Sequence, residues 1–135
     1  MSKNVKLNIK ALKTATTRGI CSALGRFGSY TRRSARSSIR KRKKISAPGA
    51  PPSSHTDALR AGIMYAVDRE KLTVVVGVPK GKSSAPAVLE HGGIGKDGKF
   101  YRARPFMAPA FEQQKKNITK LFKNCIVRKS NELHF

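Results

Sequence analysis

The sequence predicts an α+β domain with a long N-terminal helix, a small antiparallel sheet of three to four strands, and a C-terminal amphipathic helix packed on that sheet. Three observations predict it. Between Ile9 and Ile39 the apolar residues Leu12, Ile20, Leu24, Phe27 and Tyr30 recur at three- and four-residue steps, the spacing of one helix face. The run LTVVVGV, Leu72 to Val78, is β-branched and apolar on both faces, as a strand requires. Met107, Phe111, Ile118, Leu121, Phe122, Cys125 and Ile126 then return to helical spacing.

Taken in order, the first helix carries Gly19, Gly25 and Gly28, each weakening it by ~1 kcal/mol relative to alanine, so a bend near Gly25 or Gly28 is expected. The run RKRKK, Arg40 to Lys44, ends it. SAPGAPPSSH, Ser46 to His55, cannot continue a helix, because proline lacks the backbone donor and restricts its predecessor. It reads as an extended connector. Leu59, Ile63, Tyr65 and Val67 fit one face of a strand, joined to LTVVVGV by a hairpin loop of Asp68, Arg69, Glu70 and Lys71.

KGKSSAP, Lys80 to Pro86, reads as a loop, and AVLEHGG as a short apolar run giving way to glycines. Asp97-Gly98 is a tight-turn dipeptide leading into a strand around Phe100 to Arg102. In the last helix, Glu112 near the start and Lys120, Lys123, Arg128 and Lys129 near the end complement the dipole. Its Phe111, Ile118, Leu121 and Phe122 stripe is expected on the sheet.

These parts divide a single domain of 135 residues into a basic helix and arm (1–45), a Pro/Gly/Ser connector (46–56), the sheet with its loops (57–104), the last helix (105–127) and a tail (128–135). A chain of this length buries ~65–70% of the surface that its unfolded form exposes. That suffices for one modest core.

Charge dominates the composition. There are 29 Lys and Arg against 7 Asp and Glu, a formal net charge of +22. Such an excess attracts polyanions, whether nucleic acid or an acidic protein surface. It is also lopsided: fourteen basic residues lie between Lys3 and Lys44, and no acidic residue precedes Asp57. Arg32, Arg33, Arg36, Arg40, Lys41, Arg42, Lys43 and Lys44 form the candidate electrostatic interface. Tyr30 is the only aromatic nearby, which is poor interleaving for a single-strand stacking surface.

Cys21 and Cys125 are too few and too distant for a zinc pattern or a disulfide framework, and read as free, partly buried thiols. No apolar run reaches the ~18 residues of a membrane span. MSKNVKLNIK lacks the apolar core of a secretion signal, so folding in a cytoplasm is expected.

Several motifs imitate chemistry. GVPKGKSS, Gly77 to Ser84, resembles a P-loop but is one residue short, and Ser84-Ala85-Pro86 is expected to break the helix that must follow. Gly93, Gly95 and Gly98 match G-x-G-x-x-G, yet KFYRARP follows where a helix should pack. His55 with Ser54 and Asp57, and Glu90 with His91, are the only local clusters with catalytic residue types. Neither supplies a nucleophile, a base and a group orienting that base. No catalysis, cofactor or metal is expected.

ARPFMAPAF reads as a rigid strand-to-helix corner built from Arg104, Pro105, Phe106 and Pro109. Pro105 holds Arg104 extended, Phe106 and Met107 pin the turn to the sheet, and Pro109 sits in the helix's first turn, where no donor is lost.

The order of parts, a basic N-terminal helix, PGAPP, HTDALRAGI, VVVGV, LEHGG and then ARPFMAPAF opening a helix, resembles the phage tail-completion and neck (head-tail joining) proteins of long-tailed phages, minor tail protein Z-like members included. The similarity runs from the first helix to Ile126, and LEHGG with ARPFMAPAF at this separation is its most specific part. The resemblance implies an α+β fold and a non-enzymatic virion component at the neck or tail top, assembled in the host cytoplasm. It also implies a homo-oligomeric ring between head-connector and tail-terminator or tail-tube proteins, with non-specific DNA contact open. One departure is Asp57, where family members often carry glycine. The alternative reading is a basic nucleic-acid-binding protein, ribosome-associated or DNA-packing, with the sheet as scaffold.

Overall fold

The computed structural model describes residues 9–81 and 85–123. Helix α1 spans Ile9–Ser38, close to the predicted limits. Its buried side is not the stripe of large apolar residues. Ala23, Phe27, Thr31, Ala35 and, just past the helix, Ile39 are buried in a ladder of four-residue steps, while Tyr30 is exposed. Ile20 and Leu24 are half-buried, and the side chain of Leu12 lies outside the described residues. Small side chains line this ladder because neighbours approach α1 closely there.

Gly28 marks the closest approach. A Cβ at this position would meet Tyr65 Cδ2 at 2.7 Å and Val74 Cγ2 at 2.9 Å, whereas one at Gly25 would meet nothing within 4 Å. The helix runs unbroken through both glycines. Gly25→Ala should therefore stabilise by ~1 kcal/mol through helix propensity. Gly28→Ala should destabilise, because overpacking costs typically 1–3 kcal/mol and offsets that gain. Urea melts of both variants test the contrast, and an equal gain at both positions would remove the close approach from the account.

After α1 the chain does not leave as a free arm. Arg40–Lys41 forms β1, which pairs in parallel with Ser53–Ser54, β2, and Arg42 N donates to Ser54 O at 3.3 Å. The connector between them is not simply extended. Ala50 N donates to Ala47 O at 3.1 Å, and Gly49 takes φ +82°, so Pro48-Gly49 forms the centre of a turn that only a glycine fits comfortably.

The expected strand from Leu59 begins later. Ala58–Gly62 is a short helix, α2, and only Met64–Asp68 is strand, β3. Leu59 and Ile63, four apart, both reach the core, as one helical turn allows. The four-residue step from Leu59 to Ile63 is helical, and the two-residue alternation starts only at Met64. Asp57 precedes α2 at φ 63°, a left-handed conformation natural to glycine and tolerated by aspartate.

β3 pairs antiparallel with β4, Thr73–Gly77, with Tyr65 opposite Val76 and Val67 opposite Val74. The hairpin is as expected, its loop one residue later at Arg69 to Leu72. Asp68 Oδ1 organises it by accepting the amides of Glu70 at 2.9 Å and Lys71 at 3.0 Å.

Ala85–His91 is helix α3, where the sequence suggested loop and apolar run. Alanine, leucine and glutamate favour helix, and Pro86 occupies the first turn, where its missing donor is harmless. β5, Gly93–Ile94, and β6, Phe100–Tyr101, then form a small antiparallel pair. Among the described residues the strands therefore make three separate two-stranded pairs, one of them parallel, rather than one sheet of three to four. The α+β class stands.

Helix α4 spans Met107–Lys115, and after a turn at 116–117 residues 118–123 are again helical. Cys125, Ile126, Arg128 and Lys129 lie outside the described residues. The inward side of α4 differs from the expected stripe: Phe106 and Ala110 are buried, whereas Phe111 is 44% exposed and meets Phe27 edge-on at 5.6 Å. α4 lies along α1, where Gln114 Nε2 donates to Ser34 Oγ at 2.8 Å. The core is the meeting of these parts, with Ala35, Ile39, Ile63, Phe106 and Ala110 buried and Leu59, Val76, Val78, Leu89 and Met107 packed around them.

Candidate electrostatic interface and structural corner

The eight basic residues singled out in the sequence divide into two groups. Arg32 and Arg36, half-buried, turn back on the fold. Arg32 Nε donates to Ile63 O at 2.9 Å and Arg36 Nη2 to Ala61 O at 3.0 Å. Both therefore satisfy carbonyls at the end of α2, a cation's usual place at a helix C-terminus. They belong to the core's support rather than to an outward interface.

Arg33, Arg40, Lys41, Arg42, Lys43 and Lys44 are exposed. Because Arg40 to Arg42 is extended and paired to β2, successive side chains point to opposite faces. Arg40, Arg42 and Lys44 line one cleft of about 550 Å³, together with Ser37, Ser38 and the connector residues Ile45 to Ala47 and Ala50 to Ser53. Sequence reading found the charge run but not this alternation, which depends on a strand only two residues long.

The corner is held by a group that sequence reading noticed for another reason. Glu90, at the end of α3, sends its carboxylate to the start of α4: Oε2 accepts the amides of Phe106 at 2.9 Å and Met107 at 3.0 Å, and Oε1 accepts that of Ala108 at 2.8 Å. No residue beside α4 in the chain supplies a side-chain cap, so a carboxylate sixteen residues upstream does so. Orphaned helix amides and the positive end of the dipole both favour an anion here. As a member of a catalytic cluster with His91, Glu90 is better explained by this structural duty.

The rest of the corner locks around it. Arg104 N donates to Leu89 O at 2.6 Å, Gly92 N to Val88 O at 2.8 Å, and Gly49 N to Ala103 O at 2.9 Å. Arg104 Nε reaches Ser46 O at 3.0 Å. Gly92 sits at φ +74°, and a Cβ there would press on Ala103 N at 3.1 Å and Tyr101 O at 3.2 Å. The predicted roles of Arg104 and Phe106 thus acquire partners: Phe106 joins Ala35, Ile39 and Ile63 in the cluster against which Val76 of β4 also packs. Pro105 is half-buried and Pro109, in the first turn of α4, is exposed.

The chemical look-alikes resolve into local structure. Gly93, Gly95 and Gly98 belong to the β5–β6 hairpin, with Gly98 N donating to Gly95 O at 3.0 Å. Tyr101 Oη donates to Asp97 Oδ2 at 2.5 Å; this bond holds the Asp97 carboxyl below and the Tyr101 phenol above their ordinary ranges. For GVPKGKSS, Lys82, Ser83 and Ser84 lie outside the described residues. The expectation that no helix follows is corrected by α3, which leaves the short spacing as the argument against a P-loop. Ser54 is buried and His55 exposed, Cys21 is a free, half-buried thiol, and Cys125 lies outside the described residues.

Among the described residues no helix is long and apolar enough to cross a membrane. No protein-family model, curated protein or solved structure matches the chain.

Proposed function

We propose that the chain is a structural, non-catalytic subunit of a phage neck or tail-completion assembly, joining tail to head as one member of a homo-oligomeric ring. One observation carries the reading. LEHGG and ARPFMAPAF, the segments on which the family resemblance rests most, meet in space: Glu90 of the first caps the helix that the second opens. Within this fold their separation therefore has a physical reason.

Exposed apolar residues support an assembled state. Ile45, Val75, Ile94 and Phe100 are each about 70% exposed, and such side chains find cover at subunit contacts in a ring. The partners in this reading are head-connector and tail-terminator or tail-tube proteins. The place of action is the neck of the virion, after assembly in the host cytoplasm.

Complementation of a phage lacking this gene, followed by electron microscopy of the lysate, tests the role. Loss of the gene should leave filled heads and separate tails, restored to joined particles by the wild-type chain. Joined particles without the gene, or a failure that leaves heads empty or absent, would remove the joining role.

A further inference from the structure

We infer that the cleft lined by Arg40, Arg42 and Lys44 is a binding site for the phosphate backbone of nucleic acid. Its shape comes from the β1–β2 pairing, whose parallel bridge holds Arg40 and Lys41 extended against Ser53 and Ser54. Alternate residues on an extended chain repeat at about 6.6 Å on one face. Arg40 and Arg42 thus share one face, and Lys44, past the bend at Lys43 and Lys44, also lines the cleft. Fourteen basic and no acidic residues precede Asp57, and a backbone that carries one negative charge on every nucleotide is the occupant that such a density complements.

Ser37 and Ser38, also in the lining, give their hydroxyl protons back to Ser34 O at 3.0 Å and Ala35 O at 2.7 Å, whereas the buried Ser46 hydroxyl in the same lining has no partner among the described residues. The donors are thus cations and a hydroxyl, groups that engage phosphate without reading bases, so the site is sequence-independent. Arg32 and Arg36, tied to α2 carbonyls, take no part. The inference goes beyond the joining role, and purified protein suffices to test it, so either can fail alone.

The test is fluorescence anisotropy of the full chain on a short DNA duplex of arbitrary sequence, between about 50 and 200 mM salt. The cleft variant is Arg40→Gln/Arg42→Gln/Lys44→Gln. The control, Lys10→Gln/Lys13→Gln/Arg18→Gln, removes the same charge from exposed positions on α1. Each released phosphate contact lowers the salt slope by ~0.9. The loss of affinity on raising salt should therefore shrink ~40-fold in the cleft variant and less than ~4-fold in the control. Arg40→Lys/Arg42→Lys, which keeps the charges, should bind as the wild type does, and circular dichroism should be unchanged in all, since every altered side chain is exposed.

Equal losses in the cleft and control variants would mean generic attraction and overturn the site. Displacement of DNA by poly-glutamate at matched charge concentration would assign the cleft to an acidic protein surface and overturn the nucleic-acid assignment.

Discussion

Phe106→Ala should cost the domain about 3–5 kcal/mol, the usual penalty for emptying a packed aromatic site. Phe106 is 2% exposed and heads the fully buried side chains by volume. It fills the junction of Ala35, Ile39, Ile63 and Ala110, where rigid helices on two sides leave little room for collapse. Against a total stability of ~5–15 kcal/mol, the variant should be partly unfolded at ambient temperature. Phe111→Ala is the comparison. That ring is 44% exposed and adds mainly an edge-on contact with Phe27, a geometry worth ~0.5–1.5 kcal/mol beyond its area. Urea melts followed by circular dichroism should rank the two in that order, and a larger loss at Phe111 would mean that α4 faces α1 with its other side.

Glu90→Ala should be the second large effect, about 2–4 kcal/mol. A hydrogen bond to a charged group contributes ~1.5–3 kcal/mol, and an anion at a helix N-terminus adds up to ~2 kcal/mol in a partly buried site. These overlap rather than sum. The substitution leaves the amides of Phe106 and Met107 without the carboxylate in a part-buried setting. Glu90→Gln keeps one acceptor oxygen and should lose about half as much. Glu112→Ala, an exposed site on the same helix, should stay within ~0.5 kcal/mol. Amide hydrogen exchange locates the cause: the Phe106 to Ala108 amides should exchange faster in Glu90→Ala at matched global stability. Uniform acceleration across α1 as well would show that Glu90 acts on the whole fold instead of capping α4.

The two effects meet at the corner proposed to carry the family likeness. Phe106 supplies the apolar half and Glu90 the polar half, and both act at the entry to α4. In the proposed role, where loops and basic side chains meet neighbours, a corner that fixes the direction of the last helix is an advantage. Flexibility there would spread those surfaces over many orientations, at an entropic cost to docking.

What the sequence determined by itself was local. Periodicity in Ile9 to Ile39 was enough for α1, since thirty residues of helical spacing admit no other regular structure. β-branching in LTVVVGV and the Asp68 turn were enough for the hairpin. The four-residue step from Leu59 to Ile63 was legible in principle, but a five-residue segment is too short to tell helix from strand. What tertiary structure alone decided were meetings between distant segments. It placed Ala23, Thr31 and Ala35 on the buried side of α1, because small residues are selected there by how closely Tyr65, Val74 and α4 approach, and single-chain periodicity registers only large apolar side chains. It split the basic run into arginines tied to α2 and cations facing a cleft, because a guanidinium's partner is a carbonyl some thirty residues away. It set Glu90 on α4 for the same reason: a charge is visible in sequence, but the helix end that it answers lies sixteen residues on and comes within reach only when α3 and α4 pack.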